Sequence, residues 1–227
     1  PYAASKRICE KNSLTYNPLF IHGDVGMGKT HLLNAIAIDL KANIPNLKIV
    51  MMSAERFMYQ FIKSIRLKET IKFKDQFRSI DILLIDDIQF IGGKGSTQEE
   101  FFYTFNELIN QGKQIIISSN KSPVDLLSLD ERLKSRLSGG LVVDFLPTNY
   151  GLRLEILKKK VEVLNINVPI EVLQFVANKI VNNIRELEGA LNRIWANYEL
   201  TGKKINIENS ANLLSDLISA HEKTISI

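Results

Sequence analysis

HGDVGMGKTH (His22–His31) packs three glycines and a lysine into ten residues. It follows the apolar run PLFI (Pro18–Ile21) and precedes LLNAIAI (Leu32–Ile38), a good helix-former. A plain turn needs one or two glycines. The spacing is Gly23, four residues, then Gly28, Lys29 and Thr30, which fits the phosphate-binding loop G-x-x-x-x-G-K-[ST]. The chemistry asks for these residue types. Glycines let backbone amides crowd around phosphate oxygens without Cβ clashes. The helix that follows points free amides and the positive end of its dipole at the anion. Lys29 has the reach for β- and γ-phosphates, and the Thr30 hydroxyl can bind Mg²⁺. A glycine-rich turn carrying a surface lysine explains the same letters less well, because a strand pattern precedes the loop and a helix pattern follows it.

The chain has 227 residues, enough for one large domain or for a core with a small satellite. Its 45% hydrophobic and 24% charged content is that of a soluble globular protein. A net charge of +4 and a pI near 9.1 are compatible with nucleic acid without demonstrating it. The single cysteine, Cys9, excludes an intrachain disulfide and a cysteine-rich metal framework, and fits a reducing cytoplasm. No apolar run approaches the roughly 18 residues of a membrane span. The first fifteen residues are polar and mixed, unlike a signal peptide. A start at Pro1 without methionine suggests a fragment.

Five short apolar runs read as buried parallel strands: Pro18–Ile21, Leu47–Ser53, Asp81–Asp86, Gln114–Ser119 and Leu141–Phe145. Helical patterns separate them at Thr30–Lys41, Glu55–Ile65 and Gln98–Asn110. The last of these opens on TQEE, where Thr97 and Glu100 form an expected capping box. Strands alternating with helices predict an α/β doubly wound sheet. After Pro147 the strand-like runs stop. Asn149–Leu164, Ile170–Val181, Ile184–Tyr198 and Ile207–Ala220 read as helices, broken at residues 167–169, 182–183 and 201–204. The expected organisation is an α/β core over 1–147 and a small α-helical lid over 148–222.

Other polar groups fit a site around the loop. Asp86 and Asp87 stand at the carboxyl end of the run ILLID, the sheet edge where open α/β sheets bind ligands. Asp86 is the better metal candidate with Thr30, and Asp87 is placed to orient a water. Ser119 and Asn120 end the next strand, where a polar group can sense a γ-phosphate. In LDERLKSRL, Arg132 and Arg136 are four apart on one helical face. Spacing alone makes them a solvated basic helix; the sharper alternative is an arginine supplied to a neighbouring subunit's phosphate. Asn183, with Glu186 three later, caps a helix. That puts Arg185 in a first turn, where the dipole does not favour a cation, so an anion is its natural partner.

Taken together, YNPLFIHGDVGMGKTHLLNAI, LLIDDIQF, TQEEFFYTFN, LDERLKSRL and NIRELEGALNRI closely resemble the ATPase domain of the bacterial replication initiators, the DnaA family of the AAA+ superfamily. The resemblance runs from about Tyr16 to Ala220. It implies an AAA+ P-loop core with a parallel five-stranded sheet and a helical lid. It also implies ATP/ADP and Mg²⁺ as ligands, with slow ATP hydrolysis as a switch. Residue by residue, Lys29 and Thr30 match Walker A, Asp86 and Asp87 match Walker B, Asn120 matches sensor 1, Arg132 resembles the arginine finger and Arg185 matches sensor 2. The nucleotide contacts implied are Asn17, Pro18, Gly23, Asp24, Val25, Gly26, Met27, Gly28, Lys29, Thr30, His31 and Arg185. ATP-dependent self-assembly on origin DNA and strand opening are implied, with Ile62 and Lys94 on single-stranded DNA and a replicative helicase or its loader as a further partner. Ser96 stands where the family often has a basic residue, so the contact falls more on Lys94. SRLSGGL lacks the family's usual aromatic. Residues 223–227 would begin a linker to a helix-turn-helix domain that this sequence does not contain. A helicase loader or initiator-regulating paralogue, working through protein contacts, is the alternative. A metabolic kinase leaves the lid and the arginine pair unexplained.

Overall fold

The computed structural model describes residues 1–9, 16–181 and 183–219. The expected linker start at 223–227 and the expected helix end at Ala220 lie outside the described residues. Two compact units emerge, Pro1–Asp24 with Gly28–Phe145, and Val25–Met27 with Leu146–Ile227.

The first unit is built on five parallel strands: β1 (Leu19–His22), β2 (Ile49–Ser53), β3 (Ile82–Asp86), β4 (Gln114–Ser119) and β5 (Leu141–Asp144), in the order β2-β3-β4-β1-β5. The strands are continuous apolar runs because both faces are covered. Alternate residues go to opposite sides. Phe20, Leu83, Ile85, Ile115 and Ile117 join one core, with α3 (Ala54–Arg66), α4 (Thr70–Arg78) and α5 (Gly95–Asn110). Leu19, Ile21, Ile82, Leu84 and Ile116 join the other, with α1 (Tyr2–Cys9) and α2 (Lys29–Asn43). On the α3 side the Phe57 ring packs edge-on against Phe73, Phe77 and Phe101, with centroids 5.4, 5.4 and 5.3 Å away. Edge-to-face packing of this kind adds about 0.5–1.5 kcal/mol per pair to simple burial. On the α1 side, burial together with Asp39 pushes the Cys9 thiol up to about 12. It therefore stays protonated and unreactive at neutral pH.

Two α-helices have no counterpart in the sequence-based expectations, α1 and α4. One expectation is corrected. The helix at TQEE starts two residues before Thr97, at Gly95, with Lys94 at its N-cap and no side-chain cap. Thr97 and Glu100 are buried inside it, and Glu100 is paired with Lys74 at 3.4 Å. The expected capping box is therefore absent. α6 (Glu131–Ser138) precedes β5, and its cap is Asp130, whose carboxylate accepts from the Arg132 N–H at 2.8 Å.

The second unit is helical: α7 (Tyr150–Leu164), α8 (Ile170–Lys179), α9 (Ile184–Thr201) and α10 (Ile207–Leu213). Leu157, Val172, Val176, Leu187, Ala190 and Leu191 form its core. Three of these helices begin on an asparagine side chain. Asn149, Asn183 and Asn206 accept from the N–H of Leu152, Glu186 and Asn209 at 2.9, 2.7 and 2.8 Å. Each such cap contributes about 1 kcal/mol. Arg153 ties α7 to the end of α8 by donating Nε–H to Ala177 O at 2.8 Å. No helix among the described residues is long and apolar enough to cross a membrane.

Candidate nucleotide site

β1 delivers the loop. Gly23 follows His22 with φ 155°, and a Cβ there would lie 2.8 Å from both Cβ and O of Phe145. Gly28 sits in the left-handed region (φ 101°, ψ 17°) at the N-cap of α2, where no side chain caps the first-turn amides. Only glycine takes that conformation freely, and it leaves those N–H groups available to an anion. The Lys29 side chain is buried. Its ammonium donates to Gly23 O at 2.6 Å and to Asp24 O at 2.8 Å, which holds a positive charge inside the curl of the loop.

The ends of β3 and β4 meet this loop. The two strands pair in parallel with Ile85 opposite Ile117, so Asp86 and Asp87 face the end of β4. Asp86 is buried. Its Oδ2 accepts from Thr30 Oγ1 at 2.7 Å, and its Oδ1 accepts from Ser118. The same Ser118 hydroxyl accepts from the Asp87 N–H at 2.9 Å. Asp87 itself is left-handed (φ 54°, ψ 56°), a conformation that costs a non-glycine residue of order 1–3 kcal/mol and is concentrated at functional sites. Asp87 Oδ1 accepts from Gln89 Nε2 at 3.0 Å. Gln89 Oε1 in turn accepts from Ser119 Oγ at 3.2 Å and from the Asn120 N–H at 3.3 Å. Asn120 Oδ1 is buried with no hydrogen-bond partner among the described residues. A buried orphan acceptor beside a phosphate-type loop suits a group that supplies a donor, such as a bound water.

Thr30, Asp86, Asp87 and Asn120 are thus brought together as the sequence motifs suggest. Ser118 and Gln89, which connect them, were not singled out by the sequence. Among the described residues there is no cluster of three or more His, Cys, Asp or Glu side chains that could hold a metal ion. One hydroxyl and one carboxylate instead suit Mg²⁺, which keeps waters and completes its shell from substrate phosphates.

Other expected residues sit elsewhere. Asn17 is at the start of β1, away from the loop that follows its end. Both ends of its amide are committed to β4: Nδ2 donates to Lys113 O at 2.7 Å, and Oδ1 accepts from the Ile115 N–H at 2.9 Å. Its side chain therefore pins the sheet register. Pro18 joins it to β1, and Pro18 O accepts from the Leu141 N–H at 2.9 Å. Arg132 is exposed, paired with Asp130 at 3.2 Å and lying 5.3 Å above the Phe102 ring. The hydrogen bond from Arg132 holds the Asp130 carboxyl below the usual carboxylate range. Arg136 is exposed, and its guanidinium has no hydrogen-bond or ion-pair partner among the described residues. Ile62 is partly exposed on α3, and Lys94 and Ser96 are exposed at the start of α5. Arg185 is exposed in the first turn of α9.

Residues 1–144 match the bacterial DnaA ATPase domain family. Over 228 aligned positions the chain is 53% identical to the chromosomal replication initiator protein DnaA of Rickettsia canadensis, covering 100% of this chain and 49% of that protein. The chain spans about half the length of the curated relatives it matches. The crystal structure of domain III of the Thermotoga maritima replication initiation protein DnaA superposes with a TM-score of 0.90 at 39% identity, over 96% of this chain and 90% of that one. A replication initiator DnaA bound to AMPPCP and single-stranded DNA gives a TM-score of 0.76 at 35% identity, over 89% and 61% of the two chains. Family match, identity and shared AAA+ architecture agree, and this chain belongs to the bacterial DnaA ATPase-domain family.

Proposed function

We propose that this chain is an ATP-controlled module of a replication initiator, working in the cytoplasm. It would bind ATP, assemble with copies of itself on origin DNA, promote strand opening, and switch off by slow hydrolysis. The observation that carries the reading is the Thr30–Asp86–Ser118 hydrogen-bond chain beside a loop that holds the Lys29 ammonium. Lys29 and the open amides of α2 neutralise phosphate charge. Thr30 and Asp86 hold Mg²⁺, which when bound supplies charge stabilisation at the transferring phosphoryl group. Asp87 orients a water, and its short carboxylate reaches less far than a glutamate, which favours a slow switch. Asn120 reads the phosphate end of the nucleotide. Arg185, on the helical segment 148–222 taken as the lid, reports ATP against ADP. Relatives solved with AMPPCP and with single-stranded DNA support the ligand classes. A replicative helicase or its loader is the further partner.

An arginine acting on a neighbouring subunit should be dispensable for nucleotide binding by the monomer. The Arg132 guanidinium is engaged by Asp130 and Phe102, whereas Arg136 is uncommitted, so the second is assigned this role. Arg136→Ala should keep ATP affinity within twofold and lose ATP-dependent assembly on DNA in sedimentation velocity. Loss confined to Arg132→Ala would return the role to Arg132. Normal assembly in both variants would remove the trans arginine from the proposal.

DNA contact is assigned to Ile62 and to the exposed start of α5 at Lys94. Ser96→Arg adds one cation per subunit beside Lys94. It should tighten binding to a labelled single-stranded oligonucleotide and steepen the log–log salt slope by about 0.7 per added phosphate contact. Fluorescence anisotropy across a salt series reads both quantities. An unchanged affinity and slope, with assembly intact, would place this turn away from the strand.

A further inference from the structure

Gln89 lies on the 3-10 turn Ile88–Ile91 just past the acidic pair. An isolated glutamine on such a turn is ordinarily a solvated side chain. Here it is half-buried, and both ends of its amide are used. The hydrogen bonds fix which way the amide faces. The Ser119 hydroxyl and the Asn120 N–H both converge on one atom, Oε1, which must therefore be the acceptor. The NH₂ end is then left facing Asp87 Oδ1 at 3.0 Å, the one orientation in which a neutral donor meets the carboxylate. The reverse orientation would set a carbonyl oxygen against a carboxylate and an NH₂ against an N–H.

This amide adds a side-chain link between two strand ends that already lie side by side in the sheet. On one side is the left-handed Asp87, whose main chain is already held by Ser118. On the other is the backbone of Asn120, whose own side-chain oxygen is the buried orphan acceptor of the site. We infer that Gln89 is a positioning residue for hydrolysis, fixing the Asp87 carboxylate by one oxygen and tying it to the Asn120 strand end. The inference rests on the assignment of Asp87 as the water-orienting group. With Oδ1 engaged, Oδ2 is the oxygen that meets a water, and the rotation of the carboxylate is set before substrate arrives. Because the same amide holds the Asn120 N–H, a shift of the sensor end of β4 is transmitted to Asp87. Gln89 touches none of the reacting atoms. Its effect belongs to the rate of the chemical step and not to nucleotide affinity.

Gln89→Glu is the decisive variant, since it keeps the size and the acceptor but removes the donor and faces Asp87 with a like charge. Single-turnover ATP hydrolysis by the intact chain should fall about tenfold or more. Affinity for AMPPCP and ADP, measured by titration calorimetry, should stay within twofold. The double variant Asp87→Asn, Gln89→Glu restores a donor–acceptor pair with the roles exchanged. It should recover any loss in thermal midpoint seen in Gln89→Glu while remaining inactive. Asp87→Asn alone tests the underlying assignment, and wild-type hydrolysis in that variant overturns both readings. If Asp87→Asn is inactive but Gln89→Glu hydrolyses normally, the positioning role is overturned while the Asp87 assignment stands. Loss of hydrolysis and nucleotide affinity in parallel in Gln89→Glu overturns it too, because the residue would then be holding the site as a whole.

Discussion

Lys29→Ala should weaken ATP binding at least thirtyfold. The lysine brings a full positive charge into the loop on a side chain that is already buried and already directed by two backbone carbonyls. Hydrogen bonds to charged groups are worth about 1.5–3 kcal/mol each, and 2 kcal/mol corresponds to roughly a thirtyfold change in Kd. Alanine removes that charge and leaves the Gly23 and Asp24 carbonyls facing the space where the phosphates belong. They repel an anion, so the loss is more than a missing contact. Equilibrium titration with a fluorescent ATP analogue measures it, and unchanged affinity would remove the phosphate-loop assignment altogether. The thermal midpoint without nucleotide is the control that the loop still folds.

Gly140→Ala should destabilise the first unit by about 3 kcal/mol, within the range seen for overpacked interiors. A Cβ at Gly140 would fall 2.0 Å from Pro18 O and 2.6 Å from Pro18 N and Cδ. Those are backbone and ring atoms, which cannot rotate aside. Pro18 cannot retreat either, because Asn17 beside it is bonded to β4. The methyl must therefore push β5 off β1 and break the Leu141 N–H to Pro18 O hydrogen bond. For a chain of this size the thermal midpoint should drop by roughly 6–12 °C. Gly139→Ala is the neighbouring control. The nearest atom to its Cβ is Arg136 O at 3.3 Å, a contact within its own turn, and its midpoint should move little. Equal melting of the two variants would contradict this account of the crossing.

What could be read from the letters was whatever a local pattern encodes. The five strands were legible because buried parallel strands are unbroken apolar runs, and Leu83–Leu84–Ile85 or Ile115–Ile116–Ile117 admit little else. The phosphate loop was legible because its chemistry forces glycine and lysine at fixed spacing. α4 was not, although Phe73 and Phe77 both enter the core. Most of its other positions, among them Lys72, Lys74, Asp75, Gln76 and Arg78, are those of a polar surface segment, and Ile71 is exposed. The misread capping box shows the limit of a spacing rule. TQEE satisfies the pattern, but Gly95 and Ser96 already lie in the helix, so the threonine and glutamate turn inward. Ser118 and Gln89 were invisible for another reason. Their work depends on β3 and β4 being neighbours, which only the strand order supplies. The tie that Asn17 makes between β1 and β4 was hidden for the same reason, since its partners are 113 and 115, far along the chain.

That strand order also governs how the protein is made. β1 carries the phosphate loop and is the first strand of this sheet to be translated, yet its hydrogen-bonding neighbours are β4 and β5, the last two of the five. At about 5–20 residues per second, the interval between translating β1 and translating β4 is on the order of ten seconds. Through that interval β2 and β3 can pair with each other, but Leu19, Phe20 and Ile21 have no sheet to enter. The nascent nucleotide loop therefore has no complete sheet to stand on until β4 and β5 have been translated, and ATP cannot assist folding before that point. A polypeptide halted before Gln114 would present an unpaired apolar strand, the kind of segment that chaperones hold and proteases remove.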